Sequence, residues 1–174
     1  GRRREVDDDL PDAEAAPAVT MRVAHAYDEG DAPFRRIATA VMKHYVCKRA
    51  PGHAAEALEC LGGNGYVEES GMPRLYREAP LVSIWEGSGN VAALDALRAM
   101  ARRPASVDAF LAELDAAAGA DRRLDAATAA LRKQLGDLTD LEYRTRRLVE
   151  SMALTLQGSL LVRHAPAPVA DALC

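Results

Sequence analysis

Three short stretches of this chain hold residue types and spacings that can do chemistry. The first is Trp85-Glu86-Gly87-Ser88-Gly89-Asn90. A carboxylate on a glycine-flanked bend at a helix start can swing toward a ligand. An aromatic ring that removes water from it would raise its pKa and make it a better base near neutral pH. Ser88 and Asn90 offer hydrogen bonds to such a ligand; the plainer reading makes Glu86 a favourable anion in the first helical turn. The second stretch is Leu61-Gly62-Gly63-Asn64-Gly65-Tyr66. Glycines expose backbone N–H groups and let a phosphate approach closely. This run follows a helix pattern and not a strand, so it is not the dinucleotide fingerprint, and a plain helix stop accounts for it equally. The third is Arg74-Leu75-Tyr76-Arg77-Glu78. Its two arginines could hold a phosphate or form structural ion pairs with Glu68, Glu69 and Glu78. Arg122, Arg123, Arg132, Lys133, Arg144, Arg146 and Arg147 sit among nearly as many acids, which reads as a solvated helix surface. His25, His44, His53 and His164 share no ligand spacing, so no metal is expected.

The elements that must position these residues read as helices. Residues 1–17 carry blocks of one charge sign and two prolines, and are expected to be an irregular lead. A helix is expected from Ala18 to about Glu29, with Val19, Val23 and Tyr27 on one face. Asp31 can cap the next, where Phe34, Ile37, Val41 and Tyr45 make an amphipathic stripe. Pro51 should kink or break that helix. A second piece then runs to Gly62-Gly63, which end it. Gly63 to Ile84 reads mostly as loop, with one or two helical turns over Met72 to Glu78. The next helix should run from Gly87 to about Arg103 with Val91, Leu94, Leu97 and Ala101 inward, and Pro104 should stop it. Helices follow from Ser106, from Asp121 and over Thr139 to His164, then a short apolar tail. No strand alternation and no repeat is visible. The fold class is all-α, an antiparallel bundle of about four to six helices.

Composition sets the outer limits. At 174 residues the chain is one domain, or one with a helical extension. Its hydrophobic fraction is 49%, much of it alanine, and aromatics are only 5%, which favours helix over a sheet core. The net charge of −4 gives no global attraction to nucleic acid or to an anionic membrane. Cys47, Cys60 and Cys174 are an odd number without metal spacing, which fits a reducing, cytoplasmic setting. No apolar run is long enough to span a membrane, and the charged opening residues are not a signal peptide. The chain does not open on methionine, which suggests a fragment or a processed product.

The motifs, taken together and in order, resemble those of a known family. Glu59-Cys60-Leu61-Gly62-Gly63-Asn64-Gly65-Tyr66, Arg74-Leu75-Tyr76-Arg77 and Ile84-Trp85-Glu86-Gly87-Ser88 are similar to three runs in the C-terminal helical domain of acyl-CoA dehydrogenases. The Glu-Glu-Ser-Gly-Met-Pro-Arg-Leu-Tyr-Arg-Glu-Ala-Pro wording, and Trp before the glutamate, look most like the AidB branch, linked to the adaptive response to alkylation damage. The tail 160–166 also resembles that branch. The resemblance covers roughly 32–174. It divides the chain into residues 18–104, a four-helix-bundle-like unit, and 105–174, a helical extension.

The resemblance implies an oxidoreductase that dehydrogenates an acyl-CoA between its α and β carbons, with FAD shared between the subunits of a homodimer or homotetramer. It makes Glu86 the catalytic base. It assigns cofactor binding to Gly62, Gly63, Ser88 and Asn90. In the AidB branch it adds double-stranded DNA as a partner, with Arg98 as the first contact, and so an alternative reading as a DNA-binding or oligomerisation module with a vestigial site. Two positions depart from the family pattern: Glu59 stands where the family has Gln, and Trp85 where it has Tyr. The family's N-terminal helical and β domains do not fit in this length. The chain is therefore expected to hold one wall of a site, and to be inactive alone. Gly1-Arg2-Arg3 resembles a run within the family's first C-terminal helix.

Overall fold

The computed structural model describes residues 2–173, with side chains from position 13 onward. The side chains of Gly1, Arg2 and Arg3, and Cys174, lie outside the described residues. Among the described residues there are nine α-helices and no strand. They are α1 (Arg2–Asp28), α2 (Ala32–Cys60), α3 (Gly63–Tyr66), α4 (Met72–Glu78), α5 (Gly89–Arg102), α6 (Pro104–Asp115), α7 (Arg122–Gly136), α8 (Leu141–His164) and α9 (Ala167–Leu173). Short 3₁₀ turns at Glu68–Ser70 and Ala79–Ser83 flank α4. The all-α expectation holds, with more helices among the described residues than the four to six the periodicity predicts, and with α1 and α2 longer than expected.

The largest correction is at the start. The expected irregular lead is helical over its described residues, 2–17, as the first part of α1. Its charge blocks and prolines argued against order, but Ala15 is fully buried against Leu161 and Ala170, and Val19 enters the main core. Burial in the assembled bundle outweighs weak local propensity. The second correction is Pro51. It lies inside α2, which runs through it without a break. A proline removes one backbone donor, but the rest of the ladder survives. Pro104 likewise does not merely stop α5; it occupies the first turn of α6, where its missing N–H costs nothing.

The N-terminal half of α2 is the core of the molecule. Phe34, Ile37, Ala38, Val41 and Tyr45 are buried, as the stripe predicts. They meet α5, α6, α8 and α1 in one continuous core that includes Phe110, Leu114, Leu148, Met152 and Leu156. Phe34 stacks on Phe110 with ring centroids 6.4 Å apart. The register of α5 differs from the expectation. Ala92, Ala93, Ala96 and Ala99 face inward, while Val91 and Leu94 are exposed, Leu97 is half-buried and Ala101 is exposed. Small side chains let α5 lie close along α2, and the bulkier residues are left outside.

One half-buried charge cluster ties the bundle together. Glu113 of α6 accepts from Arg22 Nε of α1 at 2.9 Å and from Arg163 Nη1 of α8 at 2.6 Å. The Arg22 guanidinium also lies 4.2 Å from the Phe34 ring centroid. Burial pushes the Glu113 carboxyl up, but hydrogen bonds from Arg22 and Arg163 outweigh it and hold the group below the usual carboxylate range. A carboxylate with a depressed folded-state pKa stabilises above its unfolded value and loses that contribution as pH falls through the folded one. Stability should therefore decline on acidification below the ordinary glutamate range. Glu113→Ala should cost about 3 kcal/mol at pH 7, because Arg163 loses its acid and Arg22 keeps only its 3.7 Å contact with Asp31. Urea unfolding of both proteins at pH 7 and pH 4 checks this; the gap should narrow at the lower pH.

Candidate functional site

The Trp85–Asn90 segment joins the 3₁₀ turn Ala79–Ser83 to α5, and α2 holds it at both ends. Lys43 Nζ of α2 donates to the Val82 carbonyl. His44 Nδ1 lies 2.8 Å from the Gly89 carbonyl, inside the protein. Further along, Arg36 and Asp95 pair bidentately at 2.7 Å and 2.7 Å, fixing the register of α5 on α2. Between these anchors the backbone reverses. Glu86 has φ +54° and Gly87 φ +102°. A left-handed φ is uncommon for a side chain other than Asn, Asp or Gly and persists where the surroundings impose it.

This geometry places Glu86 at the mouth of a cleft of about 350 Å³ between α2 and α5, whose walls include Arg35, Arg36, Lys43, Asp95 and Arg103. Among the described residues nothing bonds the Glu86 carboxylate, so it is open to a ligand. Its aromatic neighbour does not dry it: Trp85 is 56% exposed and Glu86 is exposed as well. The desolvation expected from Trp85 is therefore not supplied within this chain. Ser88 and Asn90 are exposed, and the Ser88 hydroxyl makes no cap bond to α5, leaving it available.

The Gly-Gly run lies elsewhere. Gly62 and Gly63 sit at the C-terminal end of α2, beyond Cys60. From His44 that is 16 residues along α2, about 24 Å of helix. The glycines thus follow the second half of α2, while the anchors of the bend come from its first half. The three glycines have different reasons to be there. Gly62 has φ +60° and ψ −139°, which other residues rarely adopt. A Cβ on Gly65 would stand 2.1 Å from the Leu58 carbonyl oxygen. Gly63 meets neither demand: its Cβ would point into open space. Its bareness leaves room on the outside for a group to come against the backbone.

The remaining candidates are separate from both places. Arg74 pairs with Glu78 and Arg77 bidentately with Glu68, so the ion-pair reading of that stretch holds. In the last third Arg123, Arg132 and Arg144 are paired with acids. Arg98 is exposed and lines a hollow with Arg36, Arg102 and Arg103, apart from Glu86. The site residues that sequence reasoning did not single out are Lys43, Arg36 and Asp95 on α2 and α5. Their i,i+7 spacing on α2 placed both cations on one face, but only the path of the chain shows what that face meets. Among the described residues no group of three or more His, Cys, Asp and Glu is placed to hold a metal.

The acyl-CoA dehydrogenase C-terminal domain pattern matches residues 8–102, which contains both the bend and the glycine run. The chain belongs to the acyl-CoA dehydrogenase family. It is 38% identical over 165 residues to the putative acyl-CoA dehydrogenase AidB of Escherichia coli strain K12, covering 92% of this chain and 30% of that protein. It is 30% identical over 171 residues to acyl-CoA dehydrogenase family member 11 of Caenorhabditis elegans, covering 87% and 28%. The crystal structure of Caenorhabditis elegans ACDH-11 in complex with C11-CoA superposes with a TM-score of 0.77 at 26% identity, over 94% of this chain and 33% of that one. The Bd2924 apo-form superposes at 0.71 and 28% identity, over 88% and 32%. The chain thus spans about a third of the length of these acyl-CoA dehydrogenase relatives. No described helix is long and apolar enough to cross a membrane.

The glycines offer a direct check of which part of the turn is structural. Gly65→Ala forces backbone apart and should lower stability by about 1–3 kcal/mol. Gly63→Ala has space and should stay within about 1 kcal/mol of the parent. Thermal melting of the two variants side by side decides this.

Proposed function

We propose that this chain forms the helical wall of an acyl-CoA dehydrogenase site, with Glu86 as the base that removes the substrate's α-proton. The observation that carries this reading is the Glu86 bend: an unpaired carboxylate, held at a left-handed φ, opening into a cleft. The match of residues 8–102 to the family's C-terminal domain supports it. Acyl-CoA as the substrate class follows from the family and from the C11-CoA complex of the ACDH-11 relative. The other walls of the site belong to segments that the longer relatives have and this chain does not match. In this reading residues 18–104 carry the site, 105–174 buttress it, and the chain alone has little or no turnover.

In the dehydrogenation, the Glu86 carboxylate would take the proton released from the α C–H bond, and a bound cofactor would have to supply the acceptor for the β-hydride. FAD, when bound, supplies that hydride acceptor. The donor set fits such a group on two counts: the Ser88 hydroxyl is uncommitted, and Gly63 leaves its outward face bare. Ser88 and Asn90 would hold FAD beside Glu86, and Gly62 and Gly63 would contact FAD beyond the C-terminal end of α2. That separation supports the view that the glycines serve the cofactor of a neighbouring subunit, in a homodimer or homotetramer.

The AidB-like alternative, a DNA-binding or oligomerisation module with Arg98 as a contact, is not favoured by these comparisons. It predicts a salt-dependent affinity for duplex DNA that falls on Arg98→Ala, and titration with labelled duplex at low and high salt separates it from the dehydrogenase reading. The direct test of the latter uses the flavoprotein that carries this chain. Glu86→Gln should retain FAD and acyl-CoA binding but lose turnover by about 10²–10⁴-fold, measured with an artificial electron acceptor. Unchanged turnover would remove Glu86 from the chemistry.

A further inference from the structure

We propose that Lys43 and His44 are positioning residues for Glu86, clamping both ends of the bend that presents it. This deepens the reading of Glu86 as the base and rests on it. The two residues are neighbours on α2, yet they reach opposite ends of one loop. Lys43 Nζ donates to the carbonyl of Val82, before the bend. His44 bonds the carbonyl of Gly89, the first residue of α5, after it. A carbonyl can only accept, so His44 Nδ1 carries the proton. A third contact from the same helix closes the arrangement: a Cβ on Gly89 would stand 2.7 Å from Lys48 Cε, so the Lys48 stem lies flat across the start of α5.

The clamp answers a specific need. Glu86 is exposed, has no side-chain partner among the described residues, and sits at φ +54°. Neither packing nor a hydrogen bond of its own keeps it there. Without fixed ends the bend would relax toward the commoner right-handed conformations. The carboxylate would then leave the cleft that Lys43 also lines. His44 is buried and Lys43 is half-buried, so one anchor is locked by the core and the other stands at the cleft wall.

Trp85, the chain's one tryptophan, is next to Glu86 and reports on the bend without any label. The experiment measures its time-resolved anisotropy, together with exchange of the Ile84 and Trp85 amides, which donate to the Leu81 carbonyl, in this chain and its variants. Lys43→Met and His44→Phe should each shorten the Trp85 correlation time and speed exchange in the bend about tenfold, since each frees one end held by a hydrogen bond. Exchange in α1 and α8 should stay at parental rates. Lys43→Arg and His44→Asn keep a donor near the same place and should restore the slow values. Parental exchange at Ile84 and Trp85 in Lys43→Met would overturn the proposal. So would equal loosening of α1 and α8, or failure of both donor-keeping variants to restore order. Lys43 is only half-buried, so its replacement spares the core and keeps the test valid if His44→Phe does not fold. None of these readouts depends on turnover. The clamp can therefore fail while Glu86 remains the base, and Glu86→Gln can leave turnover intact while the clamp holds.

Discussion

The close contact between α2 and the alanine face of α5 is the constraint on which the rest of this structure depends. Ala92, Ala93, Ala96 and Ala99 are buried along α2, and each is small enough to let the two backbones approach. Larger residues there would push α5 outward. The pairs that cross the same seam would then lose reach: Arg36 to Asp95, and His44 to the Gly89 carbonyl. The position of Glu86 is thus set by packing two turns away from it. The same seam leaves Val91 and Leu94 on the outside, because α5 cannot turn both its small and its large residues toward α2.

Two kinds of force divide the molecule between them. The bundle of α1, α2, α5, α6 and α8 is held by apolar burial around Phe34 and Phe110, and by the Arg22–Glu113–Arg163 cluster that joins three helices. The 61–90 segment is held mostly by backbone hydrogen bonds and by side chains reaching from α2. It also exposes Tyr66, Leu75, Ile84 and Trp85, each at 56% or more. A site wall has this character: rigid behind, apolar and open in front. The two halves of α2 show the same division. Its buried residues end at Tyr45, and its second half carries the glycine run out to the far end of the molecule.

Much of the fold was legible because helix signals are local. Asp31 does cap α2 and Asp121 does cap α7, each accepting from backbone N–H groups of the first turn. Gly62 does end α2 with a left-handed φ, and Leu148, Met152, Leu156 and Leu160 do share the buried side of α8. What was not legible concerns burial and company. Residues 1–17 look unable to order themselves, and in isolation a segment with two prolines and split charge has little reason to be helical. Where their side chains are described, at Ala15, they pack on α8 and α9, which lie more than 120 residues later. Pro51 reads as a break because local rules see the lost donor and not the ladder on either side. The inward face of α5 was misassigned because hydrophobicity favours valine and leucine, whereas a close helix crossing favours alanine.

The candidate site divides along the same line. Sequence alone determined the residue types: a glutamate on a glycine-rich bend, a glycine run after a long helix, and the order of motifs that marks the acyl-CoA dehydrogenase family. Those are properties of neighbours along the chain, fixed by local backbone freedom and by what each side chain can donate or accept. Only the tertiary structure decided that the bend meets α2 at Lys43 and His44, that Glu86 faces a cleft with cationic walls, and that Gly62 and Gly63 stand a helix length away from it. These depend on which helices touch, and that is decided by how side-chain volumes fit across a seam, a quantity no single stretch of sequence contains.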